Sequence, residues 1–267
     1  MTRYIVWAVS WLFILLVLVT PPAMVLTEAL KDGLAASVAT LSDPDAQAAI
    51  WLTLKVTCVA VTLNTIFGIL AAWVLVKFRF PGRQFLQVLV ELPLSISPVV
   101  SGLVWLLLFG AQGWFGPLLE QWNIHIAFAV PGIILATLFV TLPYVVRTVM
   151  PVMEVQGRDA EEAAVLAGAG FWQILWHVTL PGVRGALLSG VLLTTARALG
   201  EFGAVSVVSG HIPGETETMP LHIENLYNGY QSVAAFTMAA LLALMAMSAV
   251  LLRSAPDWIA RLQEKKA

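Results

Sequence analysis

Read by polarity alone, the chain is a succession of apolar stretches separated by short polar segments. A helix needs about 20 apolar residues to cross roughly 30 Å of hydrocarbon. Stretches of that kind cover residues 4–26, 50–76, 85–109, 126–146, 183–208 and 232–252. A segment in lipid must satisfy its own backbone polar groups, so each stretch predicts a spanning helix. The alternating segments of about ten residues that build membrane barrels do not occur. The first stretch has one basic residue, Arg3, ahead of it and no A-x-A cleavage pattern behind it. It is longer than the roughly 7–15 residue core of a signal peptide, so it reads as a retained span. Prolines interrupt two spans: "ELPLSISPVVSG" holds Pro93 and Pro98, and the fourth stretch holds Pro131 and Pro143. Each removes a backbone donor, which fits a kink or a broken helix lining a passage. No internal repeat or low-complexity segment interrupts the pattern. It divides into a first helix and loop at 1–49, a membrane core at 50–253 and a tail at 254–267.

Composition agrees with the pattern. The 267 residues are 59% hydrophobic and 11% charged, with a mean hydropathy of +0.87; soluble domains carry about a quarter charged residues. The bilayer is therefore the solvent. Arg3, Lys77, Arg79, Arg83, Arg147, Arg158, Arg184, Arg253, Arg261, Lys265 and Lys266 fall at one set of span ends, while Lys31 stands alone in the opposite loops. The positive-inside rule puts both termini in the cytoplasm, together with the loop at 158–181. The net charge of −2 says nothing about nucleic acid, but no basic tract is present that could neutralise phosphates, so no nucleic-acid partner is expected. The single cysteine, Cys58, permits no disulfide framework and no thiolate metal site.

The loop at 158–181 reads "RDAEEAAVLAGAGFWQILWHVTLP". Asp159 followed by Glu162 is an Asp variant of the capping box, predicting a helix that starts at Asp159 and ends at Gly168 or Gly170. "FWQILWHV" predicts a second short amphipathic helix, and Pro181 the start of the fifth span. Helices this short are marginal alone in water and need a packing surface. The first, with its alanine face, fits a socket on another body. The second, with Phe171, Trp172 and Trp176, would also suit lipid headgroups.

Glu162, Ala163, Ala164, Gly168, Val178, Leu180 and Pro181 stand at the spacing of the EAA loop, and this stretch resembles that loop in ABC-importer permeases. Val178 takes the place of the more usual isoleucine. The resemblance implies the all-α, six-helix fold of type I importer permeases, with this loop as a coupling helix seated on an ATP-hydrolysing subunit. No phosphate-cradling G-x-x-x-x-G-K-[ST] loop occurs in the chain. ATP and Mg would then bind on a separate ATPase dimer, and the chain would carry no cofactor and no catalytic residue of its own.

The fifth span contains "TTARALGEFGAVSVVSG". At helical spacing Gly190, Thr194, Arg197 and Glu201 fall within about 60° of one another. Charges at membrane depth are functional suspects. Arg197 offers an oxyanion a planar set of donors, or pairs with Glu201 to fix packing or a gate. Ala196, Gly200 and Ala204 form an adjoining small-residue stripe. Glu91 and Lys55 lie near span ends, where they can snorkel or pair. "RALGEFGA" resembles oxyanion permeases of the sulfate and molybdate types. With "ELPLSISPVVSG" and the outer loop "SGHIPGETETMPLHIENLYNGYQ", it resembles the CysW-type permeases of sulfate/thiosulfate importers. That family implies a bacterial inner-membrane subunit pairing with a related permease of the T or U type. It also implies an ATP-binding subunit dimer and a periplasmic sulfate/thiosulfate-binding protein. The outer loop carries Glu215, Glu217 and Glu224 and no Lys or Arg, which suits docking of a loaded binding protein better than direct sulfate capture. His211 and His222 in it read as polar surface, because further metal ligands are missing. The expected cargo is sulfate and thiosulfate. The alternatives are molybdate or tungstate, and, from another class, an ion-coupled secondary anion transporter working alone.

Overall fold

The computed structural model describes the backbone of residues 2–264 and the side chains of residues 3–252. The tail at 254–267, with Arg261, Lys265 and Lys266, therefore lies outside the described side chains, as does Arg253. Every regular element among the described residues is helical. In chain order they are α1 (Arg3–Ala29), α2 (Leu34–Leu41), α3 (Pro44–Lys77), α4 (Arg83–Ser95), α5 (Pro98–Phe109) and α6 (Gly116–Gln121). There follow α7 (Val130–Gln156), α8 (Asp159–Leu166), α9 (Phe171–Leu199), α10 (Val205–Val208), α11 (Met219–Asn228) and α12 (Ser232–Glu264).

Five of these, α1, α3, α7, α9 and the Ser232–Leu252 part of α12, are long and apolar enough to cross a membrane. The third expected span is not one helix. It is α4 and α5, bent by 112° at Ile96–Ser97. Pro98 opens α5 where its missing donor is harmless, and Ser97, the residue before it, has ψ 134°, the extended range that a following proline favours. The fourth span keeps Pro143 inside one helix and runs beyond its expected end, through Pro151 to Gln156. The fifth departs most. Pro181 does not start it; the second amphipathic segment and the span are one continuous helix, α9.

A π-helical turn explains that continuity. Leu175–Thr179 is wound so that the Leu180 N–H donates to Leu175 O, five residues back. Proline would otherwise clash with the carbonyl four residues behind it, and a wider turn makes room. The same device appears in α1, where Ile14–Val19 is π-helical and Thr20 N–H donates to Leu15 O just before Pro21 and Pro22.

The chain forms two compact units. One holds residues up to Thr53 with His211–Leu244, and the other holds Leu54–Gly210 with residues from Met245 onward. In the first unit, Ser37 Oγ and Thr237 Oγ1 both donate to Ala29 O, at 2.8 and 3.3 Å. Met219 N–H donates to Thr53 Oγ1 at 2.8 Å. In the second, Ala72, Leu75, Val90, Val145, Val146, Val149, Met153 and Val183 make one core among α3, α4, α7 and α9. Asn64 reinforces it, donating from α3 to Leu138 O and Thr141 Oγ1 at 3.0 and 2.8 Å. Glycine allows close crossings here. A Cβ at Gly68 would lie 2.8 Å from Val145 Cβ, and one at Gly190 would overlap Thr148 Oγ1. Apolar side chains along α1 are exposed on all sides, as a lipid-facing helix requires.

Candidate functional site: the 158–181 loop and the broken helices

α8 is two turns long. Asp159, Glu161 and Glu162 occupy its first turn, where carboxylates complement the helix dipole. The expected Asp159 cap is not formed. Arg158 holds the capping position, no side chain caps the helix, and Asp159 is its first helical residue. The other end is as the sequence indicates: Gly168 has φ +86° and ends the helix. Ala169 N–H donates to Ala164 O at 3.0 Å and Gly168 N–H to Val165 O at 2.9 Å, the two bonds of a Schellman motif.

Glu161, which sequence reasoning passed over, anchors α8. Its Oε1 accepts from Thr179 Oγ1 at 2.7 Å, and its Oε2 lies 3.2 Å from Lys77 Nζ. Lys77 also donates to Gly157 O. The Lys77 and Glu161 side chains are only 7% and 16% exposed. The start of α8 is thus tied to the end of α3 and to the π turn of α9. Glu162 is exposed, as are Ala163, Val165 and Leu166, the last at 89%. Phe171 packs edge-on against Trp73 of α3 with ring centres 5.2 Å apart, fastening the start of α9, while Trp172 and Trp176 stay exposed. Between the end of α8 and the π turn lies a groove of about 520 Å³; Ala164, Gly168, Gln173, His177 and Val178 are among the residues lining it. Leu180 is half-buried and Pro181 exposed.

The expected 183–208 helix stops at Leu199, and Glu201 lies in the break before α10. Its side chain is 1% exposed. One oxygen accepts the Ala204 N–H at 2.9 Å, and the other lies 2.6 Å from Arg197 Nη1 in an ionic contact without an aligned hydrogen bond. The Arg197 side chain keeps 30% exposure. Thr194 contributes no surface; it is fully buried and donates to Gly190 O at 2.8 Å. Gly200 is exposed. The break packs on the other broken span. A Cβ at Gly203 would lie 2.9 Å from Pro98 Cβ, and one at Gly102 would lie 2.7 Å from Ala204 O.

Glu91 accepts a long contact from Gln87 Nε2 at 3.5 Å and Lys55 is exposed. In the 209–231 loop, Glu215 and Glu224 are exposed, but His222 is not polar surface. It is buried, with Nδ1 3.0 Å from Glu217 Oε2, and Glu217 is buried with it. Among the described residues no group of three or more His, Cys, Asp or Glu side chains could hold a metal.

A family model described as the binding-protein-dependent transport system inner membrane component matches residues 64–266. The chain belongs to that family. The sulfate transport system permease protein CysW of Escherichia coli K12 is 50% identical over 251 residues, covering 94% of this chain and 86% of that protein. CysT of the same strain is 37% identical over 241 residues, covering 88% and 87%. A subunit of a bacterial alginate ABC transporter, crystallised with an alginate-bound periplasmic protein, superposes with a TM-score of 0.78 over 95% of this chain and 92% of its own. At 18% identity that likeness concerns the fold alone. The sequence stands with the CysW-type permeases. The chain is thus a multi-pass inner-membrane permease of the ABC-importer class, and not an enzyme.

Proposed function

We propose that this permease is half of the membrane pore of an ATP-driven importer that carries sulfate, and with it thiosulfate, into the cytoplasm. The 50% identity to a sulfate transport permease across 94% of the chain carries the reading of the cargo. The second half of the pore is a CysT-type permease, a relative whose 37% identity to this chain suits a pair of similar subunits. A periplasmic binding protein delivers the anion, and ATP with Mg binds on a separate ATPase dimer.

Loop 158–181 is the coupling element. Its outer face of Glu162, Ala163 and Leu166 is free to enter an ATPase groove, while Glu161 ties its inner side to α3 and α9. The basic span ends support a cytoplasmic position for this loop and both termini. Within the pore, Arg197 is the group that meets the anion, and buried Glu201 positions it through the Ala204 turn. Sharing the guanidinium with Glu201 weakens its hold on the solute, as a conduit needs.

Complementation tests the assignment. In a bacterium deleted for its CysW-type permease, this chain with its partner subunits should restore growth on sulfate or thiosulfate as sole sulfur source. Rescue of molybdate-limited growth in place of sulfate would move the cargo to molybdate or tungstate. Rescue without the ATPase would favour an ion-coupled carrier.

A further inference from the structure

Residues 77–85 read "KFRFPGRQF", cations interleaved with phenylalanines in the turn from α3 to α4. Lys77 is engaged by Glu161 and Gly157. The other two cations are not held in this way. Arg79 is exposed, with no carboxylate at ion-pair distance among the described residues. Arg83 reaches only Glu154, at 3.9 Å, and its buried Nε has no acceptor. Arg79, Phe80, Gly82, Arg83, Gln84 and Phe85 line an open groove of about 540 Å³. No carboxylate lines that groove, and the first turn of α4 contains no acidic residue. Phe85, in its lining, and Phe78, the first residue after α3, have 68% and 47% of their surface exposed.

Two guanidinium groups with unused donors call for an oxyanion with several acceptors. Exposed phenyl rings at the end of a membrane helix call for an apolar neighbour. A free inorganic anion would satisfy the first demand and leave the rings in water. A phospholipid satisfies both, because its phosphate sits where its acyl chains begin. We propose that the 78–85 turn binds the phosphate of an anionic phospholipid, held by Arg79 and Arg83 with the Phe78 and Phe85 rings in the acyl boundary. The bound lipid would hold the end of α3 at the membrane surface, and with it Lys77, the residue that ties down loop 158–181.

Native mass spectrometry of the purified full chain, in mixed micelles containing phosphatidylglycerol or phosphatidylcholine, tests this. The wild-type chain should retain phosphatidylglycerol in preference. The Arg79→Gln/Arg83→Gln variant should bind it roughly ten- to thirtyfold more weakly, as expected for two basic residues at a lipid surface, and Arg79→Lys/Arg83→Lys should recover most of the loss. Wild-type affinity in a double Gln variant with an unchanged unfolding temperature would overturn the proposal. So would complete displacement of the lipid from the wild-type chain by millimolar inorganic phosphate, which would mark a free-anion site. Should the double variant not fold, the headgroup comparison and phosphate competition on the wild-type chain decide. None of these arms uses ATP, sulfate or a partner subunit, so their outcome stands apart from the transport assignment.

Discussion

The tie between Lys77 and Glu161 can be tested by removing its members singly and together. Their charged atoms are 3.2 Å apart and both side chains are largely buried. At an effective dielectric of about 20, the gross attraction is about 5 kcal/mol. Desolvation opposes it, and water reaches Glu161, which is 16% exposed. A net coupling of about 2 kcal/mol is therefore expected, within the range for residues in one network. Hydrogen exchange at the α8 amides measures local opening of the helix that Glu161 anchors. Glu161→Leu and Lys77→Met should each raise exchange there, and the double variant should fall short of their sum by about 2 kcal/mol, a factor near thirty. Glu161→Gln keeps an acceptor for Thr179 Oγ1 and should lose less than Glu161→Leu. Thr179→Val should matter in the wild-type background and not beside Glu161→Leu. Additive single effects, or α8 protection unchanged in Glu161→Leu, would refute the claim that this pair anchors the loop.

Substitutions at four further positions separate conformational from steric and electrostatic roles. No atom lies within 4 Å of a Cβ at Gly168, whose φ is +86°, so Gly168→Ala should strain the end of α8 by about 1–2 kcal/mol through backbone conformation alone. Gly168→Asn should cost less, and equal α8 exchange in the two variants would reject this account; a bulky residue there should also uncouple ATP hydrolysis from uptake. Gly102→Ala presses on Ala204 O and Val207 Cβ, each at 2.7 Å, and should lower stability by about 1–3 kcal/mol in detergent melts. By contrast Gly185→Ala, which meets nothing within 4 Å in α9, should be neutral or stabilising by up to about 1 kcal/mol. Arg197→Gln should reduce sulfate flux per assembled transporter at least tenfold, as loss of a charge-assisted donor implies; a loss confined to complex assembly would assign the Arg197–Glu201 pair to packing.

Apolar run length located the spans because lipid leaves a helix no alternative way to satisfy its backbone. It could not locate their breaks. Residues 200–208 are as apolar as the helix before them apart from Glu201, and what marks the break is tertiary: Gly203 and Ala204 pack closely on Pro98 and Gly102 of another broken span. Glu201 was the available sign: a buried carboxylate in a span needs partners, and a broken helix supplies a backbone N–H. Pro181 misled for a related reason, since a π turn absorbs a proline without ending the helix. In the loop, the motif drew attention to Glu162, but motif spacing does not reveal burial. Glu161 became visible as the anchor only once α3 and the π turn stood beside it.

The most direct test of the account is uptake of radiolabelled sulfate into vesicles holding this permease with the proposed CysT-type partner, ATPase and binding protein. The account predicts uptake that requires ATP and every subunit, is blocked by thiosulfate and is unaffected by molybdate. Uptake that persists without ATP or the ATPase would contradict it.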